Sequence, residues 1–316
     1  MQLAIIMDPI DKIKPQASTD FALLLEAQQR YGSVRFIDPT HVWLQDGIIW
    51  AKMRKIQVQD TRENYYEFIT DYEVQPLSEC DVVLMRKDPP FDMDYIFLTY
   101  LLEQAEQQGC IVVNKPASLR DANEKLFTAW FPHCCPKSLV TSQIDLIRDF
   151  ASAESEIIIK PLNGNAGSSI FRVKAEDPNF NVIAENMTRH GRELVMVQQF
   201  LPAISEGDKR IILINGEPIP YALARIPSVR DFRGNLGKGA TAEGRELTEH
   251  DHWIASEVGP VLRDKGLLFV GLDVIGKYLT EINVTSPTGV RELDHLFDTN
   301  ICGTFFDQIE AQLVVH

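Results

Sequence analysis

Short apolar runs alternate with amphipathic segments through the first third of the chain, and this alternation limits the folds that the sequence can adopt. Leu3–Met7, Val34–Ile37 and Val82–Arg86 have the length and composition of buried strands. Helices are expected from about Ser18 to Tyr31 and from Met93 to Gln108, each followed directly by a glycine that can end it. Strands separated by helices form βαβ units, so we predict a mostly parallel sheet here.

The middle and last thirds of the chain have a different pattern, in which strands and hairpins predominate. Strands are expected at Glu156–Lys160 and Leu194–Gln198, and a hairpin at 210–224 around the turn Asn215-Gly216. Residues 226–247 contain few apolar anchors, and so long a connection is usually functional or mobile. With 316 residues, the chain is long enough for two domains or for one large α/β unit with an inserted lid.

The net charge limits the kinds of partner that the protein can bind. Acidic residues outnumber basic residues by 45 to 31, which gives a formal net charge of −14 and a pI of about 5.0. This charge repels nucleic-acid backbones and anionic membrane surfaces, so we expect neither as a partner. A small polyanion such as a nucleotide can still bind where a few lysines and arginines cluster. The longest apolar runs are far shorter than the ~20 residues of a membrane span.

The cysteines and the N-terminus indicate a cytoplasmic protein. The five cysteines show neither metal-type nor disulfide-type spacing, which is typical of reduced thiols. They are Cys80, Cys110, Cys134, Cys135 and Cys302. The apolar run Leu3–Met7 is interrupted at once by Asp8, so it does not have the long apolar core of a signal peptide.

Two consecutive apolar segments near the C-terminus, LLFVGLDVI and YLTEINV, each carry oxygen-bearing side chains. These are Asp273, Glu281 and Asn283. A carboxylate in a buried strand needs a partner, because burying it alone costs several kcal/mol. Hard oxygen ligands of this kind suit Mg²⁺, so we predict a metal site. The alternative is that these side chains cap loops or pair with arginines.

Whether the three side chains converge depends on the turn between the two strands. A two-residue turn at Gly276-Lys277 would place Asp273 opposite Thr280 and send Glu281 to the other face. A three-residue loop at 276–278 would instead pair Asp273 with Glu281. We predict the three-residue loop.

A second motif is Lys160 at a strand end, followed by the small residues NGNAGSS at 163–169. Small residues let successive backbone N–H groups turn toward one anion, and the lysine adds a point charge. Neither the Walker motif nor the G-x-G-x-x-G dinucleotide fingerprint occurs. A plain hairpin turn is the alternative interpretation.

Isolated basic residues in apolar strand settings point to an anionic ligand. Arg210 and Arg225 fall at opposite ends of the predicted hairpin strands, and Arg86 and Lys125 lie earlier in the chain. Arginine binds phosphate or carboxylate bidentately, although each of these residues could also form a structural salt bridge. Arg233, in the long loop, could bring charge to a substrate when that loop closes. No motif for nucleophilic catalysis occurs.

Together these segments resemble the prokaryotic glutathione synthetases of the ATP-grasp superfamily. The resemblance covers nearly the whole chain and is carried by MDPI, LMRKDPPFD, VNKPASLRDANEKLFTAWF, IIIKPLNG, SIFRV, GDKRIILINGEPIPYALARIP, RGNL and VGLDVIGKYLTEINVTSPTGVRE. It implies an α/β ATP-grasp fold with an N-terminal Rossmann-like parallel-sheet domain at 1–120. A central lid subdomain at 121–200 and a C-terminal α+β catalytic domain at 201–316 would follow.

The resemblance also implies the reaction: ATP-dependent joining of γ-glutamylcysteine to glycine through an acyl phosphate, with release of ADP and phosphate. The implied cofactor is Mg²⁺, with Mn²⁺ as an alternative, and the implied assembly is a homotetramer. Two other functions stay open: another ATP-grasp carboxylate–amine ligase, and a nucleotide-binding protein without catalysis.

Matching positions imply roles for individual residues. Lys125 and Lys160 would contact the ATP phosphates, with the loop Gly164–Ser169 closing over them. The full set of implied ATP contacts is Lys125, Lys160, Gly164, Gly167, Ser168, Ser169, Gln198, Leu201 and Asp208, of which Gln198 and Leu201 face the adenine and Asp208 the ribose. The implied catalytic residues are Arg210, Arg225 and Arg233, and the implied metal ligands are Asp273, Glu281 and Asn283. Substrate contacts are implied for Arg86, Asn283, Ser286, Thr288 and Gly289.

The sequence departs from the family pattern in its two loops. NGNAGSS at 163–169 and RGNLGKGATAEGRE at 233–246 contain less glycine than the family pattern has. We expect these changes to affect lid movement and rate, and to leave the reaction class unchanged.

Overall fold

The structure, a computed structural model, describes residues 1–164, 167, 169–228, 231, 233–234, 236 and 239–314. Its described strands form three β-sheets of eight, four and five strands. Short 3-10 helices connect several of the strands, at Ile10–Lys12, Pro39–His41, Leu77–Glu79, Leu126–Trp130 and Pro202–Glu206. Helices pack on each sheet, so the predicted α/β class is confirmed.

The first sheet has a parallel centre and antiparallel margins. Its strands are β1 (Leu3–Met7), β2 (Val34–Ile37), β3 (Val42–Gln45), β4 (Ile48–Val58), β5 (Tyr66–Phe68), β6 (Glu73–Pro76), β7 (Val82–Arg86) and β8 (Ile111–Val113). β1 pairs in parallel with β2 and β7, and β7 with β8. The prediction of a mostly parallel sheet holds only for this centre, because β4 forms antiparallel pairs with β2, β3, β5 and β6.

The helices of this region are α1 (Thr19–Tyr31), α2 (Met93–Gln107) and α3 (Pro116–Asp121). Phe21 N donates to Ser18 Oγ at the start of α1, and the helix ends at Gly32, whose φ of +83° is readily adopted by glycine. The predicted bounds of α1 are therefore confirmed.

The second sheet forms a small lobe with its own core. Its strands, in the order β11-β10-β12-β9, are β9 (Ser138–Thr141), β10 (Glu156–Pro161), β11 (Phe171–Lys174) and β12 (Val195–Gln199). The helices α4 (Ile144–Glu154) and α5 (Phe180–Met187) pack on it. Ile147, Ile157 and Val195 lie among its buried apolar residues.

The third sheet is antiparallel, in the order β15-β14-β13-β16-β17. The strands are β13 (Asp208–Ile214), β14 (Glu217–Ile226), β15 (Thr241–Glu246), β16 (Phe269–Ile275) and β17 (Tyr278–Asn283), and the helices are α6 (Glu249–Asp264), α7 (Val290–Phe297) and α8 (Ile301–Leu313). The expectation of one long loop at 226–247 was wrong at its end, since 241–246 form β15. This strand is polar and pairs with β14 through its backbone, so it has no apolar signal.

The first and third sheets share a hydrophobic core, which fixes them against each other. Ile6 and Met85 from the first sheet belong to the same buried cluster as Leu213 and Leu272 from the third. Asn114 joins the two sheets directly, because its side chain donates to the carbonyls of residues 269 and 284 (2.8 Å each). Among the helices of the described ranges, none is long and apolar enough to cross a membrane.

Candidate active site

A cavity of about 430 Å³ lies where the three sheets meet, within the size range of small-molecule sites (~300–1,000 Å³). It is lined by most of the predicted site residues: Lys125, Lys160, Gly164, Gly167, Gln198, Leu201, Asp208, Arg210, Arg225, Arg233, Asp273, Glu281, Asn283, Ser286 and Thr288. Arg86, Ser169 and Gly289 do not belong to the lining, and Ser168 lies outside the described residues.

A β-bulge in β17 brings two of the predicted metal ligands together. The turn between β16 and β17 contains two residues, since Ile275 pairs with Tyr278, so the predicted three-residue loop was wrong. The register then shifts at Thr280, and Asp273 pairs with Glu281. The extra residue restores the pairing that the longer loop was expected to give. The pairing itself is therefore confirmed.

Asp273 is held by two arginines. Arg210 Nε donates to Asp273 Oδ1 (2.6 Å) and Arg210 Nη2 to Oδ2 (3.1 Å), while Arg225 Nη2 lies 2.9 Å from Oδ2. Burial by itself would raise the pKa of Asp273, but the two guanidinium groups lower it below its ordinary value. The carboxylate is thus ionised and paired with arginine, and its role as a metal ligand stays a prediction.

Two buried lysines face the other carboxylate of the pair. Lys125 Nζ and Lys160 Nζ lie 3.6 and 3.7 Å from Glu281 Oε1. Lys160 Nζ also donates to the carbonyl of Thr280 (3.2 Å), so the bulge supplies an acceptor for it. Burial lowers the pKa of Lys160, and Glu281 opposes this effect.

The charges around Asp273 favour an anionic ligand. In the described part of the chain, the cleft is lined by five cationic and five anionic side chains: Lys125, Lys160, Arg210, Arg225 and Arg233, and Asp88, Glu124, Asp208, Asp273 and Glu281. The whole chain has a formal net charge of −14, so the cleft is less negative than the chain as a whole. Cations held in a cleft of low dielectric attract phosphates or carboxylates strongly.

The predicted phosphate-binding loop connects β10 to β11, which pair antiparallel with Ile159 opposite Phe171. The loop is thus the turn of a hairpin, as the plain alternative held, and it also lines the cleft. Gly164 O accepts a hydrogen bond from Lys125 Nζ, and Gly167 O accepts one from Arg233 Nη1 (2.8 Å). Two residues predicted to contact ligands therefore contact this loop.

The remaining predicted nucleotide contacts lie along one side of the cleft. Gln198 is buried on β12, where its Nε2 donates to Ser138 Oγ (3.1 Å), and Leu201 follows that strand. Asp208 begins β13 and accepts from Arg225 Nη2 (2.7 Å) through Oδ2. Its other oxygen is buried and has no hydrogen-bond partner among the described residues. Burial raises the pKa of Asp208, and Arg225 opposes this effect.

The predicted substrate turn, Ser286–Gly289, is held by charged side chains. Arg86 lies behind the turn, where it pairs with Asp20 (2.5 Å) and donates to the carbonyl of Pro287 (3.2 Å). Arg210 Nη1 donates to the carbonyl of Thr288 (3.2 Å). The expected contact of Arg86 with a substrate carboxylate stays a prediction.

Sequence analysis missed two acidic residues of the cleft. Asp88 accepts from Ser286 Oγ, and Glu124 accepts from the backbone that follows β17. The only sequence signal for Glu124 was its position directly before Lys125.

The oxygen donors of β16 and β17 fit a hard cation in type. Two carboxylates and one amide lie on neighbouring strands at paired positions, because Asn283 lies opposite Gly271 while Glu281 lies opposite Asp273. Asn283 Nδ2 donates to Gly271 O (3.2 Å), which fixes the amide plane. Within the described ranges, no group of three or more His, Cys, Asp or Glu side chains could hold a metal ion. Any such site would therefore depend on Asn283 and on ligand oxygens.

Solved structures share this fold. D-cycloserine synthetase superposes with a TM-score of 0.66 at 14% identity, covering 98% of this chain and 99% of that chain. The ATP-grasp ligase PsnB, in complex with a minimal precursor, Mg and ADP, superposes with a TM-score of 0.61 at 16% identity, covering 98% of both chains. The predicted ATP-grasp fold is confirmed, and the fold with its charged cleft defines the chain as an ATP-grasp protein.

Sequence relatives define the family within this class. The model of the prokaryotic glutathione synthetase N-terminal domain matches residues 1–120, and that of the ATP-grasp domain of the same enzymes matches residues 124–298. A glutathione synthetase of Coxiella burnetii is 55% identical over 99% of this chain and 97% of its own length. One of Pseudomonas syringae is 50% identical over 99% and 98%. The chain belongs to the prokaryotic glutathione synthetase family.

Proposed function

We propose that the protein joins γ-glutamylcysteine to glycine with ATP, forming glutathione, ADP and phosphate. The observation that carries the proposal is that the basic and acidic residues expected for this chemistry line one cleft, in a chain that belongs to this family along nearly its whole length. The chemistry also fits the absence of a nucleophilic motif in the sequence. Phosphoryl transfer needs positioning and charge stabilisation more than covalent help from the protein.

The reaction has two steps. The γ-phosphoryl group of ATP is transferred to an oxygen of the cysteinyl carboxylate, and ADP leaves. The glycine amine then attacks the acyl carbon, so that a C–N bond forms, phosphate leaves and the amine loses a proton. Arg210 and Arg225 would stabilise the negative oxygens of both steps, because they already converge on one anionic group, the carboxylate of Asp273.

The nucleotide would occupy the side of the cleft between the second and third sheets. Lys125 and Lys160 would hold its phosphates, with Gly164, Gly167, Ser168 and Ser169 closing over them. The unpartnered buried oxygen of Asp208 supports its assignment to the ribose hydroxyls, since such an oxygen needs a donor. Gln198 and the backbone at Leu201 would face the adenine.

Asp273, Glu281 and Asn283 would hold Mg²⁺, with Mn²⁺ as an alternative. The donor set supports this, because carboxylate and amide oxygens are the ligands that Mg²⁺ takes together with phosphates and water. The bound cation would neutralise charge on the transferring phosphoryl group. Asp273 would then share its oxygens between the cation and the two arginines.

The substrates would lie on the side of the cleft lined by Asn283, Ser286 and Thr288, and Gly289, which lies outside the lining, would complete the turn. Arg86 would bind a substrate carboxylate or act through Pro287, to which it already donates. Arg233 would act from the long loop. Its guanidinium donates to the carbonyl of Gly167 in the opposite loop (2.8 Å), and this contact supports a role of the long loop as a lid. A closed lid would keep water from the acyl phosphate.

We also propose the domain division 1–120, 121–200 and 201–316, and a cytoplasmic location. The three separate sheets support the division. All five cysteines are free, which supports a reducing compartment.

A homo-oligomer, a tetramer by resemblance, is proposed for the assembly. One face of α2 supports it, because Met93, Phe97 and Tyr100 are 55%, 54% and 53% exposed at helical spacing. Phe97→Glu is expected to lower the molar mass in solution, measured by light scattering after gel filtration. An unchanged mass would exclude this face as the interface.

The decisive test is a coupled assay of ADP release with Mg²⁺ and ATP. We expect release only when γ-glutamylcysteine and glycine are both present, and a tripeptide product of the expected mass. ATP hydrolysis that is indifferent to the dipeptide, or turnover only with other amine and carboxylate pairs, would overturn the proposal.

A further inference from the structure

The carboxylate of Glu124 holds the chain segment that leads from β17 into the Ser286–Gly289 turn. Its Oε1 accepts hydrogen bonds from Val284 N (3.0 Å), Thr285 N (3.1 Å) and Thr285 Oγ1 (2.9 Å). The carbonyl of Glu124 accepts from Ile282 N (2.8 Å) as well. One residue therefore fixes the backbone at three positions where β17 ends, 282, 284 and 285.

This segment connects two parts of the site. On one side lie Glu281 and Asn283, and on the other lies the turn proposed to bind substrate. Hydrogen bonds between backbone N–H groups and a carboxylate are directional and stronger than neutral ones. The Glu124 carboxylate therefore fixes where the chain enters the turn, in addition to the contacts that Arg86 and Arg210 make with the turn itself.

The negative charge of Glu124 is energetically unfavourable at this partly buried position. Glu124 lines the cleft together with Glu281. Burial and the charge of Glu281 raise the pKa of Glu124, while the hydrogen bonds from Thr285 lower it. The hydrogen bonds from Thr285 and the charge of Lys125 offset part of this cost.

The nucleotide side of the same segment is fixed separately. Asn123 Oδ1 accepts from Lys125 N (3.2 Å) and Leu126 N (2.9 Å), and Lys125 Nζ donates to the carbonyl of Gly164. These contacts of Lys125 do not involve the Glu124 side chain. Loss of that side chain should therefore act mainly on the substrate subsite at the turn and little on the nucleotide.

We propose that Glu124 is a positioning residue that sets the Ser286–Gly289 turn for substrate binding. The inference rests on the proposed function, because it assigns the turn to a substrate. Glu124 acts through backbone groups of Val284 and Thr285 and is not itself a catalytic residue.

The test compares three variants of the full-length protein. Glu124→Ala is expected to raise KM for γ-glutamylcysteine or glycine about tenfold, while KM for ATP changes less than about twofold. Glu124→Gln keeps an acceptor oxygen, so it should restore these KM values to within about threefold of wild type. Glu257→Ala is the matched control. Glu257 lies on α6, pairs with His133 (2.7 Å) and does not line the cleft.

Each outcome decides the proposal. A purely structural role would lower the melting temperature, the active fraction and hence kcat, and would leave every KM unchanged. That result would overturn the proposal. An equal rise of all three KM values would overturn it as well. If Glu124→Ala does not fold, Glu124→Asp takes its place, because it keeps the charge and withdraws the acceptor by one methylene group. A selective rise of the KM for γ-glutamylcysteine or glycine would then support the proposal, and unchanged KM values would overturn it. Absence of glutathione formation by the wild-type protein would instead count against the proposed function.

Discussion

Asp273 and Glu281 lie directly opposite each other on β16 and β17, although the two-residue turn at Gly276-Lys277 would by itself place Thr280 opposite Asp273. Thr280 is an extra residue in β17, and its hydroxyl donates to the carbonyl of Asp273 (3.1 Å). Since successive side chains of a strand alternate between faces, the bulge at this residue keeps Glu281 on the cleft face, opposite Asp273.

Deleting Thr280 is expected to lower activity without moving Glu281 out of the cleft. In the shortened strand Glu281 follows Leu279 directly, so it still pairs with Asp273, but the bulge carbonyl that accepts from Lys160 Nζ is lost. ADP release should fall by about tenfold, because a buried ammonium group loses an acceptor. Thr280→Val, which keeps this carbonyl, should retain activity to within about fivefold, since it loses one neutral hydrogen bond. Circular dichroism would establish that both variants fold, and equal activity of the two would contradict the role of the bulge.

The pairing of Asp273 with two arginines predicts a stability effect. Asp273→Asn removes the counter-charge of Arg210 and Arg225, and breaking a buried ion pair costs about 3–5 kcal/mol. We expect a loss of free energy of unfolding of this order in the nucleotide-free protein, measured by urea denaturation.

The control for this measurement is a surface pair. Arg148 is 44% exposed and pairs with Asp145, which is 93% exposed, so Arg148→Gln should cost about 0.5 kcal/mol or less. If Asp273→Asn were as mild as this control, the buried pair would contribute little to the stability of the fold.

The parts of the fold that could be predicted are those whose residues are buried together. All five residues of β1 and of β7 are buried, so β1 is a continuous apolar run in the sequence and β7 is one up to Arg86. β5, β6 and β15 were not predicted, because they are short, partly exposed and held by backbone hydrogen bonds that carry no side-chain signal.

The candidate site shows the same division. The types of site residue could be predicted, since carboxylates and basic residues inside apolar segments are conspicuous. The bulge at Thr280 could not be predicted, because the sequence is compatible with either register and only the backbone conformation decides between them. Glu124 was missed because its hydrogen bond to Val284 joins residues 160 positions apart in the chain. Its role depends on where the end of β17 lies in space.

The burial of Lys160 predicts opposite effects on binding and on stability. Its side chain is 5% exposed, and burying an ammonium group costs free energy. Lys160→Met should therefore leave the melting temperature of the nucleotide-free protein unchanged or higher, while ATP affinity falls by about a hundredfold with the loss of a phosphate contact. The rise in melting temperature on adding ATP measures both effects. Lys137→Met is the control, because Lys137 is 69% exposed, and it should keep the full ATP response. A normal response in Lys160→Met would exclude this lysine from the nucleotide site.

Glu106, on α2 and outside the cleft, predicts a pH dependence of stability. Burial raises the pKa of Glu106 from 4.5 to about 7 in the folded protein, with Lys115 opposing this effect. Between these two values the folded state keeps a proton that the unfolded state has lost, so the free energy of unfolding decreases as the pH rises through this window. Glu106→Gln removes the titration. We expect its melting temperature to exceed that of the wild type at pH 8 and to approach it at pH 4.5.

The control for Glu106 is an exposed acid on another sheet. Glu176 follows β11 and is exposed, so Glu176→Gln should shift the melting temperature by less than about 1 °C at both pH values, as surface substitutions generally do. The difference between Glu106→Gln and the wild type must grow with pH, because only the charged form of the glutamate is disfavoured by burial. A difference in melting temperature that is constant with pH would mean that Glu106 titrates alike in the folded and unfolded states. A difference that shrinks with rising pH would mean that Lys115 stabilises the charged form of Glu106 more than burial disfavours it.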